Sequence, residues 1–283
     1  MSEALQQTLA GNFTLSGIGI HTGERVCVTV HPAQEDFGRM FRIGKTEIPA
    51  RADYVIDTSR CTVLGLEETR ISTVEHLLSA LSGCNIDNAL IEVTGSELPI
   101  LDGSSLPWVE AIQSAGVCIQ QRAAHTFRIQ ERIEIVQGQS VIEAIPADEY
   151  SLEVTTQFDH WPEGNTTLIV SPNDDTNSYT RQIAPARTFA FLHEVQAILD
   201  AGLAKGGSLE NVLIITPPAT FSSPLRVEHE WCAHKLLDCM GDLALLNARP
   251  CFQIRAVRPG HRINNAMARE LLSRSEQPSE QEN

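Results

Sequence analysis

Lysine is almost missing from this 283-residue chain: Lys45, Lys205 and Lys235 are the only three, and 36 acidic residues against 21 basic ones leave a formal net charge of −15. That balance argues against sequence-independent nucleic-acid binding, which needs a basic face to neutralise phosphates, and against a membrane held by polybasic contacts. No stretch approaches the roughly 18 uninterrupted apolar residues of a spanning helix, so no stable membrane anchor is expected. The N-terminus (Met1-Ser2-Glu3-Ala4-Leu5) has no basic n-region and no apolar h-region, hence no export signal, and a cytoplasmic location is expected. The seven cysteines are odd in number, scattered, and form no CxxC pair. They read as reduced, mostly buried thiols of a cytosolic protein. What the chain does have is length for two domains or one large one, and an apolar fraction of 42%, enough for real cores.

Strand and helix patterns alternate in an α+β order. Short strands are expected at Phe13–Leu15, Arg25–Val30, Met40–Ile43 and Asn88–Val93, with helices over Ser72–Leu81 and Pro107–Ala115, the second opened by proline and closed by Gly116. Around 119–126 the chain turns polar (Gln120, Gln121, Arg122), which marks the best boundary between a first domain, 1–122, and a second, 123–274. Further strands are expected over Thr126–Val136, Ser140–Ala144, Leu152–Phe158, Asn165–Val170, Leu213–Ile215 and Phe252–Val257, with Pro172–Ser178 as loop. Helices are expected near 193–201, from Arg226 to Asn247, and from Ile263 to Ser273, before a disordered polar tail at 275–283. There is no sequence repeat, yet each half shows strands with two helices, so a structural duplication is open.

The most informative segment is Trp231 to Asp242. His234, Asp238 and Asp242 recur every four residues and form one polar stripe on an otherwise apolar helix. Buried helices carry such groups inward only where something pairs with them, and a metal ion is the simplest partner; His234 and Asp238 at i, i+4 can reach one ion. Glu75-His76 is the second candidate. Ser72 with Glu75 three residues on also matches a capping box, and His76 alone could be a satisfied core histidine. Together His76, His234 and Asp238 make an N, N, O set that fits a catalytic zinc with an open fourth position, with Glu75 beside it as base. Arg258-Pro259-Gly260-His261 is a loop before the closing helix, where His261 is either a bystander or a proton donor. Asp242, too far along to ligate, either charges that imidazole or pairs with a cation on its own face. Thr188 offers a hydroxyl to a developing oxyanion. Phe189 and Phe191 alternate and line a groove or a strand core. Lys235, after His234, meets an anionic ligand group or snorkels at the helix edge. Asp102-Gly103-Ser104-Ser105 reads as a turn without chemistry.

The motifs Ile71 to Leu77, Asn85-Ile86-Asp87-Asn88, Leu101 to Ser104, Ala186-Arg187-Thr188-Phe189, His234 to Asp238, Gly260-His261, and Ser16 to Gly23 near the start, resemble in this order the UDP-3-O-acyl-N-acetylglucosamine deacetylases, the zinc amidases of the committed step of lipid A biosynthesis. The resemblance covers about residues 10 to 272. It implies two similar α+β domains, each layering helices against a sheet, with the site at their interface. It implies an insert, about 189–218 here, forming a passage for the acyl chain. It implies zinc (iron(II) is the alternative ion) on His76, His234 and Asp238, Glu75 as base, His261 as acid with Asp242 behind it, and Thr188 at the oxyanion. By the same resemblance Lys235 meets the diphosphate or a sugar oxygen, Phe189 the nucleotide-sugar, and Phe191 the acyl region or sugar. The partner implied is a small nucleotide-sugar carrying an acyl chain; a monomer is expected. The chain lacks much of the C-terminal extension of some members, and its insert reads Leu203-Ala204-Lys205-Gly206 where an apolar or small residue often precedes the glycines. The expected reaction is hydrolysis of the acetamide with release of acetate and a bell-shaped dependence of rate on pH. The other readings are a metal amidase or esterase with another substrate, and a non-catalytic nucleotide-sugar or acyl binding module.

Overall fold

The computed structural model of the protein describes residues 4–172 and 178–275. The expected tail lies outside the described residues from 276 onward, and Ser275, expected to open it, instead ends a helix. Most of the loop expected after Pro172 also lies outside them.

The first half runs β1 (Leu5–Leu9), β2 (Phe13–Ile18), β3 (Arg25–Pro32), β4 (Arg39–Ile43), β5 (Thr46–Pro49), then a small sheet of β6 (Val55–Asp57), β7 (Val63–Leu66) and β8 (Thr69–Ser72). Helix α1 (Glu75–Gly83), β9 (Ala89–Val93) and α2 (Leu106–Ala115) follow. The main sheet has the order β2-β3-β9-β4-β5 and is antiparallel except between β4 and β9.

The second half repeats the pattern. After β10 (Val117–Ala123) and β11 (Thr126–Arg128) come β12 (Ile133–Gln137), β13 (Ser140–Pro146), β14 (Ser151–Thr156) and β15 (Thr166–Val170). A second small sheet holds β16 (Phe189–Phe191), β17 (Leu213–Thr216) and β18 (Thr220–Phe221), with α3 (Leu192–Asp200) inserted after β16. Then come α4 (Glu230–Leu243), β19 (Arg249–Val257) and α5 (His261–Ser275). The main sheet has the order β12-β13-β19-β14-β15, again with one parallel pair, β14 with β19; β11 adds in parallel to the other end of β19. Strand order and strand direction therefore match between the two main sheets, strand for strand, while the small sheets differ: β6, β7 and β8 are all antiparallel, whereas β16 pairs with β17 in parallel. The duplication left open by the sequence is present in the topology.

Most strands follow from period-two alternation: β3 buries Val26, Val28 and Val30 on one face, and β9 buries Ala89, Ile91 and Val93. Helix α2 starts after Ser105 with Pro107 in its first turn and stops at Gly116, whose φ of +77° suits a residue without a Cβ. Four expectations are corrected. The polar stretch 119–126 is not a bare linker: β10 runs through it, antiparallel to β1, a strand the sequence did not suggest. Thr126–Val136 is two strands, β11 and β12, rather than one. The stripe helix begins at Glu230 rather than Arg226, because His229 takes a left-handed φ of +50°, and its α-helical part ends at Leu243 with a 3-10 turn over Ala244–Leu246. His261 is not in the loop but is the first residue of α5.

The two repeats meet through their helices: α1 lies against α4, and α4 also packs on β14 and β15. The contact is backbone on helix. A Cβ on Gly241 would lie 2.1 Å from the carbonyl oxygen of Glu75, so only glycine at 241 lets α1 come this close. That crossing places the first turn of α1 beside the polar stripe of α4. Among the described residues no helix is long and apolar enough to cross a membrane.

Candidate active site

His76, in the first turn of α1, and His234 and Asp238, on successive turns of α4, are brought together and buried. One ligand atom from each lies within 4.8 Å of the others, and among the described residues this is the one such group of three or more. Asp238 Oδ1 is 3.4 Å from His234 Nε2 and 3.8 Å from His76 Nε2. Ligands tetrahedrally placed around zinc at 2.0–2.1 Å stand roughly 3.3 Å apart, so the spacing fits such an ion after small side-chain movements. The donor chemistry fits as well. His234 Nδ1 donates to the Ala186 carbonyl at 3.0 Å, which leaves Nε2 free to ligate. Burial, with His234 alongside, pushes the His76 imidazole down to about 3, and burial likewise lowers His234, so both rings are neutral donors. Burial alone would raise Asp238, but His234, Lys235 and His261 outweigh it and hold the carboxyl below its ordinary range. The Lys235 ammonium donates to Asp238 Oδ2 at 3.0 Å and stands 5.7 Å from the centre of the Phe189 ring, which itself faces the His234 ring.

Glu75 and His261 lie beside this set. Glu75 opens α1, but not as a cap: Ser72 belongs to β8 and its hydroxyl donates to the Ser96 carbonyl, and no side chain caps the helix. The capping-box reading is thereby replaced by a carboxylate turned inward. Burial, helped by Asp242 and Asp238, pushes Glu75 up to about 7 against the pull of His261. Glu75 Oε1 is 3.8 Å from His261 Nε2. On the other side of that ring, His261 Nδ1 is 2.9 Å from Asp242 Oδ2. Burial opposes charge on this imidazole, but Asp242 and Glu75 raise it to about 10. Asp242 pairs with no cation on its own helix face; it takes hydrogen bonds from Thr62 and Asn264 as well.

These groups open into a cavity of about 960 Å³ lined from both halves. Thr188, Phe189, Phe191 and Lys235 all reach it. Phe191, buried, is also edge-on to Phe158 and His160. The lining includes apolar Ile20, Ile100, Ile198, Ala204 and Val212, and cationic Arg60, Arg258 and Arg262. Ile20 and His21 of the segment Ser16 to Gly23 form part of this wall. Glu97 holds it by accepting from the amides of His21 (2.9 Å) and Thr22 (2.8 Å). Gly206 of the insert then packs on it, its amide donating to the Ile20 carbonyl at 3.0 Å.

Several supporting residues were not marked by the sequence. Asp102 accepts from the Ser104 amide at 3.0 Å and pairs with Arg226, and the Ser105 hydroxyl donates to the His76 carbonyl at 2.8 Å, so the turn read as idle braces the ligand helices. Arg187 and Glu230 form a buried ion pair at 2.7 Å that fixes the start of α4 next to Ala186. Thr62, Asn264 and Asn265 surround Asp242 and His261. Asp102 and Arg187 fell within family-like motifs that gave them no role, and for the others the only signal was residue type, since their partners lie elsewhere in the chain.

A neutral two-imidazole, one-carboxylate set facing a cavity, flanked by a carboxylate and a charged imidazole, is the arrangement of a metal-dependent hydrolase. Comparison with known proteins gives the family. The family model described as UDP-3-O-acyl N-acetylglycosamine deacetylase (LpxC) matches residues 6–273, and the chain belongs to that family. It is similar to proteins named UDP-3-O-acyl-N-acetylglucosamine deacetylase: 38% identical to that of Saccharophagus degradans over 96% of this chain and 91% of the relative. The Anaeromyxobacter sp. protein of that name is 40% identical over 95% and 88%, and the Legionella pneumophila one 38% over 92% and 88%.

Proposed function

We propose that this chain hydrolyses the acetamide of UDP-3-O-acyl-N-acetylglucosamine and releases acetate, the committed step of lipid A synthesis. One observation carries the reading: His76, His234 and Asp238 converge with Glu75 and His261 at the floor of a single cavity. Zinc is the ion we assign to the three ligands, with iron(II) as the alternative that a mixed N/O site also accepts. Bound there, it would lower the pKa of water towards neutrality and polarise the amide carbonyl. Glu75, raised to about 7, is matched to taking a proton from the attacking water near neutral pH. The Thr188 hydroxyl, on the cavity wall, donates to the oxyanion that develops on the substrate. His261 keeps its proton at neutral pH and gives it to the departing amine, a poor leaving group otherwise. Asp242 holds that ring by Nδ1 and leaves Nε2 to do so.

Substrate placement follows the two kinds of lining residue. The apolar stretch formed with the insert, about 189–218, suits the acyl chain, with Phe191 near the acyl region or sugar. Phe189 and Lys235 suit the nucleotide-sugar, and Arg60 and Arg262, with Arg258 paired to Asp159, give a −15 chain cationic groups on the cavity lining for its diphosphate. Residues 1–122 and 123–274 are read as the two domains, and a cytoplasmic monomer belongs to the same reading. Acetate release from UDP-3-O-acyl-N-acetylglucosamine, measured with and without a chelator, tests it. Release that stops with chelation and returns with zinc is expected. No release by the ion-loaded protein sinks the proposal.

A further inference from the structure

The groups assigned to proton transfer come from opposite halves: Glu75 from α1, His261 and Asp242 from α5 and α4. One residue touches both sides. Thr62, just before β7 and fully buried, donates its backbone N–H to Glu75 Oε2 at 3.1 Å. Its hydroxyl donates to Asp242 Oδ1 at 2.5 Å and accepts from Asn265 Nδ2 at 3.0 Å. Asn265 in turn donates to the His261 carbonyl at 2.8 Å. Each carboxylate thus has one oxygen held by Thr62 and the other turned to His261, that of Asp242 also accepting from Asn264 Nδ2. Glu75 keeps Oε1 facing His261 Nε2, and Asp242 keeps Oδ2 against His261 Nδ1.

We propose that Thr62 is the positioning residue that sets base and acid relative to one another, its amide orienting Glu75 and its hydroxyl orienting Asp242 behind His261. The proposal rests on the deacetylase reading for the roles of those groups, but its geometry does not. A hydroxyl is needed because the position must donate to a carboxylate and accept from an amide at once, which Ser and Thr do and Val cannot. Val has nearly the same shape, so Thr62→Val removes the hydrogen bonds while the fold is asked to change little. Thr62 touches none of the three ligands in the contacts above, so its loss should leave ion binding alone.

The test compares ion-loaded wild type, Thr62→Val and Thr62→Ser. Thr62→Val is expected to lower kcat about 10- to 100-fold with KM and bound ion unchanged, and Thr62→Ser to recover to within about threefold, the scale for misaligned proton transfer. Combined with Asp242→Asn, Thr62→Val should cost little more than Asp242→Asn alone, because both act through one imidazole. Crystal structures of wild type and Thr62→Val read the orientation without activity, and the Asp242 carboxylate should rotate in the variant. Thr62→Ala serves as a second hydroxyl-free variant if Val does not fold. A hydroxyl-free variant within about threefold of wild-type kcat, a serine variant as slow as valine, or an unmoved Asp242 overturns the proposal. If wild type releases no acetate, the deacetylase reading fails instead, and the crystallographic comparison still judges Thr62.

Discussion

Each half of the molecule opens its inner helix with a buried glutamate, and the two have opposite fates. Glu230, first in α4, is fully buried, but Arg187 and two backbone amides close around it. Burial pushes that carboxyl up, the Arg187 side chain and the amides outweigh it, and it ends below its ordinary range. Glu75, first in α1, has only the more distant His261 imidazole at 3.8 Å as a counter-charge, receives one backbone amide, and is pushed up to about 7 by burial. The outer helices differ in the same way. Ser105, just before α2, props the His76 carbonyl, whereas His261, first in α5, reaches the cavity with a proton. One scaffold used twice therefore opens its two inner helices on a glutamate that is ion-paired in one copy and faces the cavity in the other. The difference lies in whether a buried charge is neutralised locally or left to act.

Exchanging Glu75 for glutamine is the largest way to test this contrast. Glu75→Gln should lower kcat by about 10² to 10⁴ while the ion stays bound, read by turnover and metal analysis. Near-normal turnover would show that Glu75 is no more reactive than its counterpart. The matched change Glu230→Gln should act on stability instead, costing about 3–5 kcal/mol in denaturant unfolding because Arg187 is left buried without its charge partner. Turnover per folded molecule should change far less than in Glu75→Gln.

A pH series is the subtler probe. The rate should rise as Glu75 loses its proton, at or below about 7 since a cation beside it favours the carboxylate, and fall as His261 loses its own, at or below about 10 since the same cation disfavours imidazolium. In the ion-free protein above pH 7 the contribution to follow is that of His261, whose folded value of about 10 lies above its ordinary 6.5. The native state binds the extra proton between those values, so the contribution of His261 to stability is full below 6.5 and is lost as pH rises through about 10. Asp242→Asn should flatten that decline in thermal unfolding.

Much of this was legible in the sequence. The stripe His234, Asp238, Asp242 needed only the helical period, and β3 and β9 only their alternation. The ribbon of β1 and β10 was illegible because β10 is exposed on nearly its whole length, so no face is marked by apolar residues. The motif of Ser72 and Glu75 misled because Thr73, at a φ of +60°, lets the chain leave β8 and turn into α1 without a side-chain cap. Thr62 and Asn265 were silent for a different reason: one threonine and one asparagine carry no pattern, and their partners lie some two hundred positions away. The duplicated topology leaves no repeat in the letters, since a strand order constrains pattern and not identity.

Gly241 has a last consequence. With no side chain between the helices, backbone rests on backbone where Glu75 meets α4, and the ligands on either side of that contact come from separate repeats. A cation seated there is a rivet between them. Its affinity and the docking of one repeat on the other become a single quantity, so distant substitutions that loosen the docking will surface first as a leaking ion.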